Sequence, residues 1–244
     1  MSLVIVIGRG HSGTRTISHT LYASGVYMGS MLNPSGDKVP PQDLYDACRR
    51  MARHVRWQGG LCWDFAALHT MPIDPEFVEL VERYAGDVLK RDGMRGWKLP
   101  ETTLVFPWIV RLFPQARYIY LVRDPRDCVI GRHITDDLRD FGIQYPSTED
   151  ERERRAISWK YQYEIVKATP QPEHFLTVRF EDFVSRQEET LRVLEEYLGI
   201  PLGRIVTRSA PLGRWRTDTE RHYFPFFREA MLASGYTEGL PAAG

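Results

Sequence analysis

An α/β fold built around a parallel β-sheet is predicted by three features of the sequence. Short apolar runs rich in β-branched residues occupy 3–7, 117–122 and 175–178, which is the composition of strands buried on both faces. Segments with helical apolar spacing lie between these runs, and the connections are short. No internal repeat, low-complexity linker or change in composition divides the chain. The 244 residues are therefore expected to form a single domain, 1–244.

The helices are predicted from apolar spacing and from the residues that begin and end them. Asp124 and Pro125 open one helix, because Asp caps helix N-termini and Pro suits the first helical position. Pro114 ends an earlier helix, and Gly199 ends the last one, as glycine commonly does at helix C-termini. The predicted helices, in chain order, are 14–24, 41–57, 75–89, 102–113, 125–139, 149–169 and 181–198.

The charge balance excludes a broad basic surface. The chain has 32 basic and 32 acidic side chains and a net charge of zero. Proteins that bind nucleic acid or membrane surfaces generally carry a basic excess, so we expect no nucleic-acid partner. Of the basic residues, 27 are Arg and 5 are Lys. This bias reflects genome composition, except where an arginine falls at a site suited to bidentate phosphate recognition.

The cysteine content indicates a reducing compartment, and the hydropathy indicates a chain without a membrane span. Cys48, Cys62 and Cys128 have no C-x-x-C spacing, so neither a disulfide framework nor a zinc site is predicted. No run approaches the roughly 18 apolar residues of a membrane-spanning helix. The first apolar run is too short for a signal peptide. The sequence thus predicts a cytoplasmic protein without a membrane span, and it leaves the oligomeric state unknown.

Three glycines, Gly8, Gly10 and Gly13, lie between the first strand and the first helix. Such a turn directs consecutive backbone N–H groups into one concavity at a helix N-terminus, where the helix dipole also favours an anion. Gly8 and Gly13 keep the G-x-x-x-x-G spacing of a phosphate-binding loop, but Thr14-Arg15 follows instead of Lys-Ser/Thr. The pattern predicts an anion site; a tight strand-to-helix turn with incidental glycines is the alternative.

A second anion site is predicted at the end of the strand 117–122. Arg123 follows this strand directly, at the sheet edge where open α/β sheets bind ligands. A nucleoside-triphosphate hydrolase or kinase would want an Asp there to hold Mg²⁺. An arginine indicates direct phosphate binding instead. The alternative is a structural salt bridge between Arg123 and Asp127.

The segment 11–15, HSGTR, resembles the 5′-phosphosulfate loop of the sulfotransferases that use 3′-phosphoadenosine 5′-phosphosulfate (PAPS). His11 stands where that family usually has Lys or Arg. An imidazole is only partly charged near neutral pH. Either His11 donates one hydrogen bond to a sulfuryl oxygen, or Arg9 or Arg15 supplies the cation. Thr14 or Thr16 is expected to supply a hydroxyl.

The segment 123–127, RDPRD, is similar to the 3′-phosphate-binding segment of the same family. The resemblance assigns the phosphate contact to Arg123, and gives Arg126 and Asp127 the task of setting the turn. The family places a Ser eight residues after this Arg, where the present chain has Gly131. Another donor is therefore expected, such as Arg132, Thr135 or the C-terminal segment.

Two further elements resemble that family. The segment 96–101, GWKLPE, is similar to its Lys-x-Pro element, which brings a Lys, here Lys98, to the transferring sulfuryl group. Glu101 lies close enough to act as a general base, although a Glu is also commonplace at a helix N-terminus. The C-terminal segment resembles the loop that closes over the 3′-phosphate, with Arg208, Gly213 and Trp215 as the matching residues. Gly213-Arg214-Trp215 also resembles the G-R-W that many bacterial members of the family carry there.

The resemblance as a whole implies a PAPS-dependent sulfotransferase with a three-layer, P-loop-like α/β fold, in which helices flank a central parallel sheet. The acceptor is expected to be a small molecule or carbohydrate with a hydroxyl or amine, and no metal is required. The alternatives are a P-loop kinase or NTPase, and a catalytically degenerate nucleotide-binding member of the fold. The implied catalytic residues are Lys98, His11 and Glu101, with Asp37, Asp43 and Asp64 as further acids near the acceptor. The implied donor-binding residues are Arg9, Gly10, His11, Ser12, Gly13, Thr14, Arg15, Thr16, Arg123, Gly131, Arg208, Gly213 and Arg214.

Overall fold

Four parallel strands form the central sheet of the computed structural model, which describes residues 2–206 and 212–240. Their order is β4-β1-β5-β6, so the first strand lies in the interior of the sheet. Ile5 is in register with Trp97 on one side and with Tyr118 on the other. The predicted parallel sheet is confirmed. The strands are β1 (Leu3–Ile7), β4 (Arg95–Lys98), β5 (Arg117–Val122) and β6 (Phe175–Arg179), and a short antiparallel hairpin joins β2 (Arg56–Trp57) to β3 (Trp63–Asp64).

Helices cover both faces of this sheet. In chain order the helices are α1 (Thr14–Ala23), α2 (Gln42–Ala52), α3 (Ala66–Thr70), α4 (Pro75–Leu89), α5 (Phe106–Leu112), α6 (Pro125–Cys128), α7 (Glu151–Ala168), α8 (Phe180–Ser185), α9 (Gln187–Leu198) and α10 (Arg228–Ala233). Among the helices of the described ranges, none combines the length and apolarity that crossing a bilayer requires.

An apolar layer covers each face of the sheet, because successive strand residues point to opposite faces. Ile5 and Ile7 face one layer, which is filled mainly from α2, α4, α5 and α7. Val4 and Val6 face the other layer, which is filled from α1, α8 and α9. The molecule is therefore a three-layer α/β structure, as the sequence predicted.

Strand β4 was not predicted, and its composition explains why. It contains Gly96 and ends in a lysine, so it lacks the continuous apolar run of the other strands. Gly96 is needed there because a β-carbon would overlap the carbonyl oxygen of Val4 on the neighbouring strand. Because the close approach of two backbones requires a glycine in β4, the strand lacks the apolar run from which strands are predicted.

The helix predicted over 125–139 is wrong: α6 ends at Cys128. Beyond it the chain forms two short 3-10 turns, at Ile134–Asp136 and Leu138–Phe141. The side chains of His133 and Asp137 accept hydrogen bonds from backbone N–H groups two residues on. Such local bonds offer the backbone an alternative to a continuous helix.

Three other predicted helices differ in extent. The helix predicted over 41–57 ends at Ala52, and the β2–β3 hairpin follows. The helix predicted over 102–113 is a 3-10 turn at Pro100–Val105 followed by α5. The helix predicted over 181–198 is divided into α8 and α9 at Arg186, whose backbone is not helical.

Candidate functional site

The carboxyl ends of the four parallel strands meet at one edge of the sheet and define the candidate site. The glycine loop 8–13 follows β1, and Lys98 ends β4. Arg123 follows β5, on the other side of β1. Residues distant in sequence therefore come together where open α/β sheets bind their ligands.

The glycine loop forms the floor of this site. Gly13 is the N-cap of α1 with a φ of 94°, a conformation that favours glycine, and it supplies no side-chain cap. Gly13 therefore offers no side-chain acceptor to the N–H groups of the first turn of α1. The buried Ser12 Oγ has no hydrogen-bond partner among the described residues. Uncapped N–H groups beside a free hydroxyl suit an anion.

Arg9 anchors the loop. Its guanidinium donates to the carbonyl of Cys128 at 2.8 Å and forms an ion pair with Asp136 at 2.6 Å. The side chain is buried. Arg9 therefore connects the loop to the segment after α6.

The hydroxyls and the second arginine of the loop have different surroundings. Thr16 Oγ1 donates to the carbonyl of Gly13 at 2.7 Å, and Thr14 is buried. Arg15 is exposed and donates to Ser35 Oγ at 2.8 Å. Of the two arginines, Arg15 is thus the one on the open side of the loop.

His11 and Gly131, the two positions that depart from the resembled motifs, lie against each other. A β-carbon at Gly131 would lie 2.8 Å from His11 Cε1. His11 Nε2 lies 2.6 Å from the carbonyl oxygen of Arg132. Because a carbonyl only accepts, Nε2 carries the proton of this hydrogen bond. Partial burial of the ring lowers the pKa of His11, the hydrogen bond to Arg132 opposes this effect, and the charge of Arg9 lowers the pKa further.

Arg123 forms the salt bridge that the sequence offered as the structural alternative, and it also contacts the glycine loop. Nη2 forms a salt bridge with Asp127 at 2.9 Å, which is the structural alternative. Nη1 donates to the carbonyl of His11 at 2.9 Å, so the side chain also reaches the glycine loop. Its guanidinium lies 4.7 Å from the ring centroid of Phe180. Arg123 is thus held between the loop and α6.

Asp127 gathers the C-terminal segment beside Arg123. Its carboxylate accepts from the backbone N–H of Gly213 at 2.8 Å and of Trp215 at 3.0 Å. Arg214 Nη2 donates to the carbonyl of Asp127 at 3.0 Å. The structure therefore brings Gly213 and Arg214 to Arg123, whereas Arg208 lies outside the described residues.

Lys98 is buried at the end of β4, with only 1 % of its surface exposed. Its ammonium donates to the carbonyl of Ser35 at 2.7 Å and forms an ion pair with Asp37. Burial lowers the pKa of Lys98, and Asp37 opposes that effect. Asn33 Nδ2 holds the second oxygen of Asp37 at 2.8 Å. The turn 33–38 thus positions the ammonium of Lys98 at the carboxyl end of β4.

Of the three acids expected near the acceptor, Asp43 and Asp64 have surroundings different from those of Asp37. Asp43 pairs with Arg83 at 3.2 Å on the exposed side of α2. Asp64 accepts from the backbone N–H of Ala66 at 2.9 Å. Of the three, Asp37 is the one that contacts Lys98.

Glu101 lies in the 3-10 turn after Lys98 and is likewise 1 % exposed. Burial raises its pKa to about 7, although the hydrogen bond from its own backbone N–H and the charge of Lys98 oppose this. Glu101 Oε2 has no hydrogen-bond partner among the described residues. Its Oε1 lies 3.8 Å from Nε2 of His133. A buried carboxyl with a pKa near neutrality beside a buried lysine is typical of a reaction centre.

His133 was missed by the sequence analysis. The prediction placed it inside a helix, whereas it caps the 3-10 turn Ile134–Asp136. Its ring packs directly on the glycine loop, where a β-carbon at Gly10 would overlap it. No spacing rule connects His133 to Gly10 or Glu101. The presence of a His ten residues beyond Arg123 was the only signal.

Known proteins resemble this chain in sequence pattern and in fold. The model of the sulfotransferase family matches residues 4–204. The sulfotransferase domain from the curacin biosynthetic pathway is 13 % identical and has a TM-score of 0.59, over 98 % of this chain and 99 % of that one. The sulfotransferase domain from the Synechococcus PCC 7002 olefin synthase is 14 % identical and has a TM-score of 0.58, over 99 % and 96 %. No curated protein matches the sequence.

The solved structures share the fold, and the family match covers most of the chain, including the glycine loop, Lys98 and Arg123. The P-loop-like α/β fold that the resemblance implied is thereby confirmed. The chain belongs to the sulfotransferase family.

Proposed function

We propose that the chain transfers a sulfuryl group from PAPS to a hydroxyl or amine of a small-molecule or carbohydrate acceptor. One observation carries this proposal above the others. The N-terminus of α1, which has no side-chain cap, and the Ser12 hydroxyl, which has no hydrogen-bond partner among the described residues, lie at the same sheet edge as the buried Lys98. An anion held by the loop would therefore have a cation beside it in a site with little water.

The residues at this edge fit the donor. The first turn of α1, Ser12 and Arg15 would hold its 5′-phosphosulfate, and Arg123 with Gly213 and Arg214 would hold its 3′-phosphate. Arg208 is proposed for the same phosphate from the resemblance. When bound, PAPS supplies a sulfuryl group activated by its phosphate leaving group. Each charge-assisted hydrogen bond to such an anion contributes about 1.5–3 kcal/mol.

Lys98 would stabilise the negative charge that develops during transfer. Its ammonium is already held by Ser35 and Asp37, so little reorganisation is needed. A preorganised cation in a water-excluded site stabilises charge more than it would in water. His11 donates its Nε2–H to the Arg132 carbonyl. A second hydrogen bond to the sulfuryl group, from Nδ1, would therefore require protonation of the ring, which burial and Arg9 disfavour.

Glu101 is proposed as the general base that accepts the proton of the acceptor hydroxyl or amine. A base is most effective when its pKa lies near the operating pH, and burial brings that of Glu101 to about 7. Within residues 2–206 and 212–240 its Oε2 has no hydrogen-bond partner, which leaves one oxygen available for the proton. Asp37 is the second candidate, because its carboxylate contacts Lys98.

A kinase or NTPase is disfavoured by the same residues. The glycine loop has no lysine, and Arg123 stands where a nucleoside-triphosphate enzyme would place an Asp for Mg²⁺. The family to which the chain belongs also disfavours it. A degenerate member that binds the nucleotide without turnover is distinguished by the second experiment below.

Donor binding is tested by thermal unfolding with adenosine 3′,5′-bisphosphate, ATP or GTP, each with and without Mg²⁺. We expect the bisphosphate to raise the melting temperature without metal, because bound ligand stabilises the folded state by mass action. Stabilisation only by ATP or GTP with Mg²⁺ would contradict the proposal and favour the kinase.

Turnover is tested by transfer of radiolabelled sulfate from PAPS to a library of sugars, phenols and amines. With an acceptor in hand, Glu101→Gln is expected to lower kcat about 100-fold with donor affinity unchanged. Glu196→Gln, on the exposed face of α9, is the matched control. If Asp37→Asn shows that loss and Glu101→Gln does not, Asp37 is the base. Binding of the bisphosphate without transfer to any acceptor would favour the degenerate member.

A further inference from the structure

His133 lies inside the candidate site, and the proposed mechanism does not use it. Its ring rests on Gly10, and its centroid lies 5.8 Å from that of His11. Its side chain is 19 % exposed, so it borders the open part of the site. A histidine at this position has two ring nitrogens that could serve the chemistry.

The protonation of the His133 ring follows from its hydrogen bonds. Nδ1 accepts from the backbone N–H of Thr135 at 3.3 Å, which caps the 3-10 turn. A backbone N–H only donates, so Nδ1 carries no proton and Nε2 carries one. The Thr135 hydroxyl, 2.9 Å from Nδ1, lies 3.2 Å from the side-chain amide of Gln162. These contacts maintain one tautomer.

The proton on Nε2 faces Glu101. Nε2 lies 3.8 Å from Oε1, which is longer than a hydrogen bond, and such contacts commonly shorten only when substrate is bound. Burial lowers the pKa of His133 to about 3, with help from Arg9, His11 and Lys98. The ring is therefore a neutral donor at physiological pH.

We propose that His133 is a positioning residue that holds the Glu101 carboxylate through its Nε2–H, while its Nδ1 is occupied by the cap. This inference rests on the proposed function of Glu101 as base. The donor would orient the carboxylate and stabilise its charged form. It would do so without adding a charge to a site that already contains Lys98.

The other ionisable groups around this pair come from several elements. Lys98 and Asp37 act on Glu101 most directly, and Tyr45 and Cys48 of α2 lie beside it. Tyr84 of α4 lies on the same side of the molecule. Arg9, His11 and Asp136 surround His133. None of these side chains donates a hydrogen bond to Oε1 or Oε2 among the contacts of the described residues. The backbone N–H of Glu101 itself donates to the carboxylate, and His133 Nε2 is the side-chain nitrogen that lies within 4 Å of Oε1 among those residues.

Two substitutions of His133 separate the role of Nδ1 from the role of Nε2. Asn can accept the Thr135 N–H in place of Nδ1, since it is a preferred N-cap residue, but it does not reach Glu101. Gln extends a donor to the Nε2 position and gives up the cap. His133→Asn should therefore keep the stability of the wild type and impair Glu101 as the base. His133→Gln should lower the stability and leave Glu101 working as the base. If His133 served only as a cap, His133→Asn would be the more active of the two variants.

The direct measurement is a ¹³C NMR titration of the Glu101 carboxyl in the full chain, assigned by its absence in Glu101→Gln. In His133→Asn the midpoint of Glu101 should rise by about one pH unit, because a donor to the charged form has been removed. In His133→Gln it should stay close to that of the wild type. The acid limb of the kcat profile should move with the midpoint, with the donor KM unchanged.

The outcomes distinguish this inference from the proposed function. An unchanged Glu101 midpoint in His133→Asn, or an equal shift in both variants, would overturn the positioning role. If Glu101→Gln is fully active or no sulfuryl transfer occurs, the proposed base fails. The titration still decides whether His133 holds the carboxylate, because it needs neither donor nor acceptor.

Discussion

At the scale of single residues, burial acts in opposite directions on Lys98 and Glu101. Both side chains are 1 % exposed. Burial penalises the charged form of each, so it lowers the pKa of the lysine and raises that of the glutamate to about 7. The ion pair with Asp37 opposes this effect at Lys98. The same strand end thus yields a held cation and a carboxyl that titrates near neutral pH.

The raised pKa of Glu101 predicts a pH-dependent stability difference from Glu101→Gln. Below pH 4.5, the usual pKa of the group, Glu101 is protonated in both the folded and the unfolded chain. Between 4.5 and about 7 only the unfolded chain ionises, so the wild type loses stability as the pH rises. The loss relative to the Gln variant should reach about 3 kcal/mol above pH 7.

Urea unfolding of both proteins between pH 4 and pH 8 measures this difference. The Gln variant lacks the titrating group, so the pH dependence common to both proteins cancels. A difference that stays flat across this range would show that the carboxyl titrates normally.

Arg123 is the residue for which we predict the largest effect on donor affinity. Arg123→Ala should weaken binding of adenosine 3′,5′-bisphosphate about 10–100-fold, because charge-assisted bonds to the phosphate are lost. Arg123→Lys retains the charge beside Asp127 and separates phosphate recognition from loss of the salt bridge. Calorimetric titration measures both, with the exposed Arg192→Ala as control. Unchanged affinity in the Ala variant would contradict the assignment.

At the scale of elements, the short helix α6 carries more tertiary contacts than its length suggests. Asp124 caps it by accepting the Arg126 N–H at 2.9 Å, as the sequence predicted. Arg126 stacks on Trp215 with 3.6 Å to the ring centroid and donates to the carbonyl of Glu238 at 2.7 Å. Asp127 binds two backbone N–H groups of the same C-terminal segment. One turn of helix therefore joins β5 to residues 212–240.

Asp127→Ala should loosen the C-terminal segment. It removes the acceptor of two backbone N–H groups and leaves the Arg123 guanidinium without its buried carboxylate. Breaking a buried pair in this way costs about 3–5 kcal/mol. Hydrogen exchange of the Gly213 and Trp215 amides should accelerate, and the melting temperature should fall.

Glu238→Gln is the control for that experiment. Its carboxylate pairs with Arg216 at the surface, where it is 63 % exposed, so little stability should be lost. Equal exchange rates in Asp127→Ala and the wild type would show that α6 does not anchor the segment.

At the scale of the whole molecule, one sheet joins two apolar layers. Ile5 of β1 faces the layer built from α2, α4, α5 and α7, and Ile119 of β5 faces the layer built from α1, α8 and α9. Both side chains are fully buried. Because the layers share their strands, we expect the chain to unfold as one cooperative unit, consistent with the single domain predicted from the sequence.

Ile5→Ala and Ile119→Ala should each cost about 2–5 kcal/mol, since each leaves a cavity in a close-packed layer. Circular dichroism and tryptophan fluorescence should report the same denaturant midpoint for each variant. Val193→Ala, at a residue that is 51 % exposed on α9, should change stability little. Two separate transitions, each sensitive to one variant, would indicate two folding units.

The sequence by itself determined the parts that depend on local pattern. The apolar runs of β1, β5 and β6 specified buried parallel strands, and Gly8 and Gly13 specified the loop after β1. The position of Arg123 after a buried strand placed it at the ligand edge. These features follow from periodicity, turn chemistry and chain direction, which a sequence displays directly.

Only the tertiary structure decided which polar groups meet at the site. Lys98 and Asp37 are 61 residues apart, and His11 and Arg132 are 121 apart. His133 was hidden inside a predicted helix, and β4 lacked an apolar run. Contacts between residues so far apart in the chain depend on how strands and turns pack. The spacing of residues in the sequence does not predict that packing. The proximity of Glu101 to His133, and of His11 to Gly131, became visible only when the sheet brought their segments to one edge.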